Sequence, residues 1–245
     1  MVSSKELRAR IQDFFTFSRQ EITGLVFAVL IMAFIFSFRD WGEEQFEAAI
    51  GLQHFLLVLI VVIISLLFRI SCQKIYGLAE GYKAEFKVWW AGLAIALVLA
   101  FISNGRLSVV LIGTMSVAFM VKQRLGEFRY GFSYWNNGVI AYWGIAGNMI
   151  LAILFALGWY LAPQNFFFHK GVVFNLIMGM SALIPLPSLD GLNIFFGSRP
   201  LYFVAIGMVL LAAILLLSRT ALGLILAIFI GVVYGTIYIL IGSEK

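Results

Sequence analysis

The sequence predicts an all-α, polytopic helical membrane protein, and three observations carry that reading. Of its 245 residues, 62% are hydrophobic and 12% charged, about half the charged fraction of a soluble globular domain. The apolar residues come in blocks of bilayer-spanning length, and most of the charged residues fall between those blocks. The longest polar-rich stretch is the first 21 residues, which leaves no room for a separate soluble domain. The predicted organisation is a cytoplasmic amphipathic interfacial helix in 1–21, then a single transmembrane domain over 22–245.

Ser3-Ser4-Lys5-Glu6 has the pattern of a capping box, with Ser3 as cap and Glu6 reaching back. Leu7, Ile11, Phe14 and Phe15 recur at helical spacing among Arg8, Arg10, Gln12 and Asp13, which predicts a short helix lying in the membrane interface. Apolar segments follow at about 22–38, 48–68, 88–103, 107–121, 138–161, 171–187, 200–217 and 221–241. The second runs on through Arg69, Ser71, Cys72, Gln73 and Lys74 with no Gly or Pro until Gly77, so one helix over about 48–80 is expected, apolar at one end and polar at the other. The segments 88–103 and 107–121, about 15 residues each, are short for spans and are separated by Ser103-Asn104-Gly105-Arg106. They read as a tight helical hairpin, which gives six full spans plus that hairpin, or eight spans. No strands are expected. Gly231-x-x-x-Gly235 is a small-xxx-small signal for close helix packing.

Alternate sides of the membrane collect very different numbers of basic residues. Thirteen of the 17 Lys and Arg fall on one side, and Arg39, Arg106, Lys170 and Arg219 on the other, beside Asp40, Glu43, Glu44 and Glu47. The positive-inside rule then places both termini in the cytoplasm of a multi-pass cell-membrane protein. Topology accounts for the basic residues, so the partner is the lipid bilayer and no nucleic acid is expected. The basic, aromatic loop 122–138 reads as interfacial for the same reason. Cys72 is the lone cysteine and has no intrachain partner. The polar start, with no small-residue cleavage site after the first apolar block, is not a cleavable signal.

One segment carries chemistry. In Leu183 to Gly191, LIPLPSLDG, Asp190 lies near membrane depth, where a charged residue costs roughly 2.5–3.5 kcal/mol and marks a functional-site hypothesis. Upstream lie Gln73 to Trp90, QKIYGLAEGYKAEFKVWW, and Tyr130 to Leu154, YGFSYWNNGVIAYWGIAGNMILAIL. In order and spacing these three pieces resemble the site-2 protease family of intramembrane zinc metalloproteases, in its archaeal and bacterial form. LIPLPSLDG is similar to the family's N-L-L-P-x-P-P-L-D-G, with Asp190 and Gly191 kept, Ala182 in place of the Asn and Ser188 in place of a Pro. Gly144 and Asn148 match the family's G-P-x-x-N, with Ile145 in place of the Pro. The resemblance covers most of residues 15–200. It implies a protease-like core over about 48–200 and a C-terminal helix pair over about 200–241, with Asn136, Asn137, Gly144, Asn148 and Gly191 as cleft features.

The resemblance also implies a departure. Aligned on Gln73-Lys74, the family's H-E-x-x-H falls on Arg69-Ile70-Ser71-Cys72-Gln73. That motif works because two imidazoles four residues apart on a helix reach one zinc, while the Glu takes a proton from metal-bound water. Arg69 is permanently cationic, Ile70 has no basic atom and Gln73 is a poor zinc ligand. His54 and His169 are the only histidines. His54 is about 27 Å along its helix from Cys72, and neither has metal-ligand spacing with another candidate. An aspartyl protease would need a second Asp at membrane depth, and a Ser/His dyad a core His.

Three readings of Asp190 stay open at this point: a cap for the element after Pro185 and Pro187, an ion pair with Arg69 in place of the metal, or residual metal or proton chemistry. The functional expectation is a catalytically inactive, site-2-protease-like membrane protein that binds transmembrane segments or scaffolds a membrane complex. No catalytic residue and no cofactor are expected. The alternatives are a divergent intramembrane metalloprotease, in which zinc would be required, and a transport or channel component, disfavoured by the scarcity of charge at membrane depth.

Overall fold

A computed structural model describes residues 3–42, 47–120 and 133–243, with backbone only at Val232 and over 234–243. Glu43, Glu44, most of the loop 122–138 and the packing of Gly235 lie outside this description. Helices α1 (Ser4–Phe14), α2 (Arg19–Ser37) and α3 (Ala48–Ala79) lead into strand β1 (Tyr82–Val88), α4 (Trp90–Ile102) and strand β2 (Gly113–Phe119). Helices α5 (Tyr134–Leu161), α6 (Phe166–Ala182), α7 (Asp190–Gly197), α8 (Arg199–Leu217) and α9 (Ala221–Ser243) complete the chain. The fold is mostly helical, and α2, α3, α5 and α8 are long and apolar enough to cross a membrane; α4, α6 and the first part of α9 are shorter apolar helices.

Helix α3 forms as expected. Its 32 residues extend about 48 Å, beyond the hydrocarbon thickness of a bilayer. Val58, Val61, Val62, Ser65, Leu66, Arg69, Ile70, Gln73 and Lys74 form its buried stripe, at the three- and four-residue steps of one helix face. Its outward face carries Ile60, Ile63, Ile64 and Leu67, which is as apolar as the inside.

The expected helical hairpin and the strictly all-α fold are corrected. Only 90–102 is helical. Residues 107–112 form neither helix nor strand and lead into β2, which pairs antiparallel with β1 in the register Val88↔Gly113 to Tyr82↔Phe119. The β-branched Val109, Val110, Ile112, Thr114 and Val117 favour a pleated surface. Gly113 sits at φ +139° with its Cα against the Lys87 carbonyl: an added Cβ would lie 2.1 Å from that oxygen. The Val110 amide donates to Ser181 Oγ on α6 at 3.1 Å, so the core takes up a backbone group that a helix would have used internally.

A second correction concerns the N-terminus. Ser3 makes no side-chain cap, and Glu6 instead pairs with Arg10. The capping box is at the next helix, where Ser18 and Glu21 bond each other's backbone amides. Arg10 Nη1 donates to the Leu78 and Ala79 carbonyls at 2.8 and 3.2 Å, so α1 caps the end of α3.

Candidate functional site

The site lies where α3, α5, α7 and β2 meet, and small residues set their spacing. A Cβ on Gly138 of α5 would come within 3.0 Å of the α7 backbone at Asn193 and Gly197, so these two helices touch backbone to backbone. Leu183 follows the last residue of α6, and Pro185 and Pro187 prevent that helix from continuing. The chain then folds back so tightly that a Cβ on Gly191 would lie 2.3 Å from the Leu183 carbonyl oxygen. Gly191 thus fixes where its neighbour Asp190 enters the core.

Asp190 is 1% exposed and Arg69 2%. Arg69 Nη2 donates to Asp190 Oδ2 at 2.5 Å, and Gln73 Nε2 donates to the same oxygen at 2.8 Å. Thr114 Oγ1, on β2, donates to Oδ1 at 2.5 Å and accepts from Asn193 Nδ2 at 3.1 Å. Arg69 and Gln73, one turn apart on α3, therefore both reach the Asp190 carboxylate. They do so as hydrogen-bond donors, one of them charged. Of the three readings of Asp190, the ion pair with Arg69 is the one observed. Asp190 is the first residue of α7, and that helix has no side-chain cap, so the capping role is not what the side chain does.

Gly144 makes room for this arrangement: a Cβ there would lie 2.5 Å from Gln73 Nε2. Asn148, one turn further along α5, is fully buried, and neither of its amide atoms has a hydrogen-bond partner among the described residues. The same holds for Nε and Nη1 of Arg69 and Oε1 of Gln73. The site thus satisfies Asp190 and leaves polar atoms of the groups around it unmatched. Asn136 and Asn137 lie elsewhere. They begin α5, about 18 Å along the helix from Asn148, where Asn136 Nδ2 donates to the Tyr82 hydroxyl at 3.1 Å.

Among the described residues, the groups around Asp190 do not fit a zinc ion. A guanidinium occupies the ligand face of Asp190. His54 stacks on Phe166 and His169 leans on Trp159. Among the described residues no three of His, Cys, Asp and Glu converge as metal ligands.

Against this geometry the chain has a relative. It is 24% identical, over 181 residues, to a Methanocaldococcus jannaschii protein named "Putative zinc metalloprotease"; the match covers 72% of this chain and 84% of that one. No family model and no solved structure matches the chain.

The sequence reading missed Thr114 and Asn193, which complete the shell of Asp190. It also missed a second buried pair, Glu21 with Lys74. For that pair a signal existed in Ser18-x-x-Glu21, a capping box ahead of an apolar run. Nothing in the sequence flagged Thr114, because it lies in a segment whose apolar length suggested a helix.

Proposed function

We propose that this chain is a non-catalytic member of the site-2 protease lineage that binds transmembrane segments, or extended peptides of membrane proteins, and acts as a scaffold in the membrane. The observation that carries this reading is the use of Asp190: Arg69 and Gln73 donate to one of its oxygens and Thr114 to the other. A general-base carboxylate is also lacking, since Ile70 stands at that position. Two features suit a binding role. An apolar groove of about 270 Å³ runs between Met180, Leu183 and Pro185 on one side and Tyr202, Ile206 and Val209 on the other, beside the turn that carries Asp190. Among the described residues β2 pairs with β1 alone, and a sheet edge is where an extended peptide adds.

Metal analysis of the purified protein is the direct test. The expected result is no stoichiometric zinc. Zinc at one per chain, lost on Asp190→Ala, would overturn the proposal in favour of a second reading, a divergent intramembrane metalloprotease, which the similarity to a protein named as a zinc metalloprotease favours. Arg69→His with Gln73→His should create a site with Asp190 that takes up roughly one zinc per chain. Both termini in the cytoplasm is the topology proposed with this function, checked by labelling single cysteines placed at each end.

A further inference from the structure

At the end of the molecule away from β1, a groove of about 140 Å³ opens between the last turns of α5 and α8 and the start of α9. Its deep wall is apolar, from Ala156, Leu216 and Leu224, and its mouth carries Tyr160, Arg219 and Thr220. Trp159 and Tyr160 close α5 at this end, the placement of aromatic residues at a membrane–water interface. The groove is therefore apolar toward the hydrocarbon and polar at headgroup level.

Arg219 is held over the mouth. Its backbone is left-handed, at φ +54°, a conformation that a long side chain adopts only where the surroundings enforce it. The guanidinium lies 4.2 Å from the Trp159 ring centroid, and Nη2 donates to the Pro163 carbonyl at 3.1 Å. Arg219 remains exposed. Thr220 Oγ1 accepts from the Gly223 amide at 3.0 Å and lies 3.1 Å from Ser218 Oγ, which donates to the Leu215 carbonyl at 2.7 Å, so these hydroxyls cap the turn beside the cation. None of the residues lining the groove is acidic. Lys170, the other described cation near this end of α6, is already paired with Asp40 at 2.7 Å.

We propose that this groove binds one molecule of a monoanionic phospholipid, its phosphate on the free face of the Arg219 guanidinium and beside Thr220, and an acyl chain along Ala156, Leu216 and Leu224. Charge complementarity sets the headgroup: the mouth carries the Arg219 guanidinium, and no carboxylate lines the groove to offset it. The apolar wall selects an amphiphile over a free anion. An additional cation on the lipid, as in a choline headgroup, would meet no carboxylate here.

Native mass spectrometry of the full-length protein in detergent tests this, using phosphatidylglycerol, phosphatidylcholine of the same chains, and inorganic phosphate. The expected result is one retained phosphatidylglycerol, bound several-fold more tightly than phosphatidylcholine and not displaced by phosphate. Arg219→Gln should weaken it about tenfold, the loss of a charge-assisted contact. Arg106→Gln, which removes an exposed arginine in the turn after α4, should leave it unchanged. Ala156→Leu keeps the charge and narrows the apolar wall, and should also weaken binding several-fold; it provides the reading if Arg219→Gln proves poorly folded. Equal binding of the two lipids, equal losses from Arg219→Gln and Arg106→Gln, displacement by phosphate, or full binding by Ala156→Leu would each overturn the proposal.

Discussion

Two buried ion pairs hang from α3 barely more than a turn apart, and they are built differently. In the first, Lys74 Nζ lies 2.9 Å from Glu21 Oε1 and 3.1 Å from Oε2. It also donates to the Thr16 carbonyl at 2.8 Å and sits over the Phe17 ring. Glu21 in turn accepts from the Ser18 amide at 2.9 Å and the Phe86 amide at 2.6 Å. No side-chain atom of this pair is left without a partner, and the pair joins α2, α3 and β1. In the second, both oxygens of Asp190 are engaged, but among the described residues Nε and Nη1 of Arg69, Oε1 of Gln73 and the whole amide of Asn148 are unmatched.

The contrast is informative because buried polar atoms are nearly always matched, and a partly satisfied network costs stability. The Glu21–Lys74 pair has the form of a structural joint. The Arg69–Asp190 cluster is instead only partly satisfied: its carboxylate is engaged by three donors, while polar atoms of the groups around it are not matched.

The comparison can be broken by mutation, and thermal unfolding in detergent measures each case. The largest effects come from removing one member of a pair. Asp190→Ala and Glu21→Ala should each cost about 3–5 kcal/mol by leaving a buried cation alone. Removing both charges separates the two sites. Arg69→Met with Asp190→Leu should cost less than Lys74→Met with Glu21→Leu: the donors it releases are side chains that can re-aim, Gln73 Nε2 already lying 3.4 Å from the Ala141 carbonyl, whereas the Ser18 and Phe86 amides are backbone groups that lose their acceptor. A cost for the first double variant as large as for the second would erase the distinction.

Intermediate effects come from packing. Gly144→Ala places a methyl on Gln73 and should cost about 1–3 kcal/mol. The smallest effect is expected at Asn148, where Asn148→Leu removes two unmatched polar atoms and should change stability by at most about 1 kcal/mol, in the stabilising direction. A loss of several kcal/mol there would mean that the amide has a partner in the membrane-embedded protein.

How much of this was legible beforehand differs by element. The 32-residue helix α3, the apolar helices and the stop at Pro185 and Pro187 follow from composition, run length and proline chemistry. The Arg69–Asp190 pairing was one of three open readings, reached through the spacing of motifs, and the structure decides among them. The sheet was not legible. Residues 107–119 are as apolar as a span, and periodicity separates strand from helix poorly when both faces are covered by protein or lipid. The same limit hid which face of α3 points inward, since Ile60, Ile63, Ile64 and Leu67 outside match the hydropathy of Val58, Val61, Val62 and Leu66 inside. In a bilayer the usual polar-out signal is missing.

The sequence by itself therefore determined the predominance of apolar helices, the length of α3 and the placing of Arg69 and Gln73 one turn apart on it. Those are properties of residue type and local order along the chain. Tertiary structure alone decided that Arg69, Gln73 and Thr114 converge on Asp190. That convergence depends on backbone approaches at Gly113, Gly138, Gly144 and Gly191, contacts between segments up to 121 residues apart. No local propensity encodes such distances. They are set by which helices can come close enough to touch.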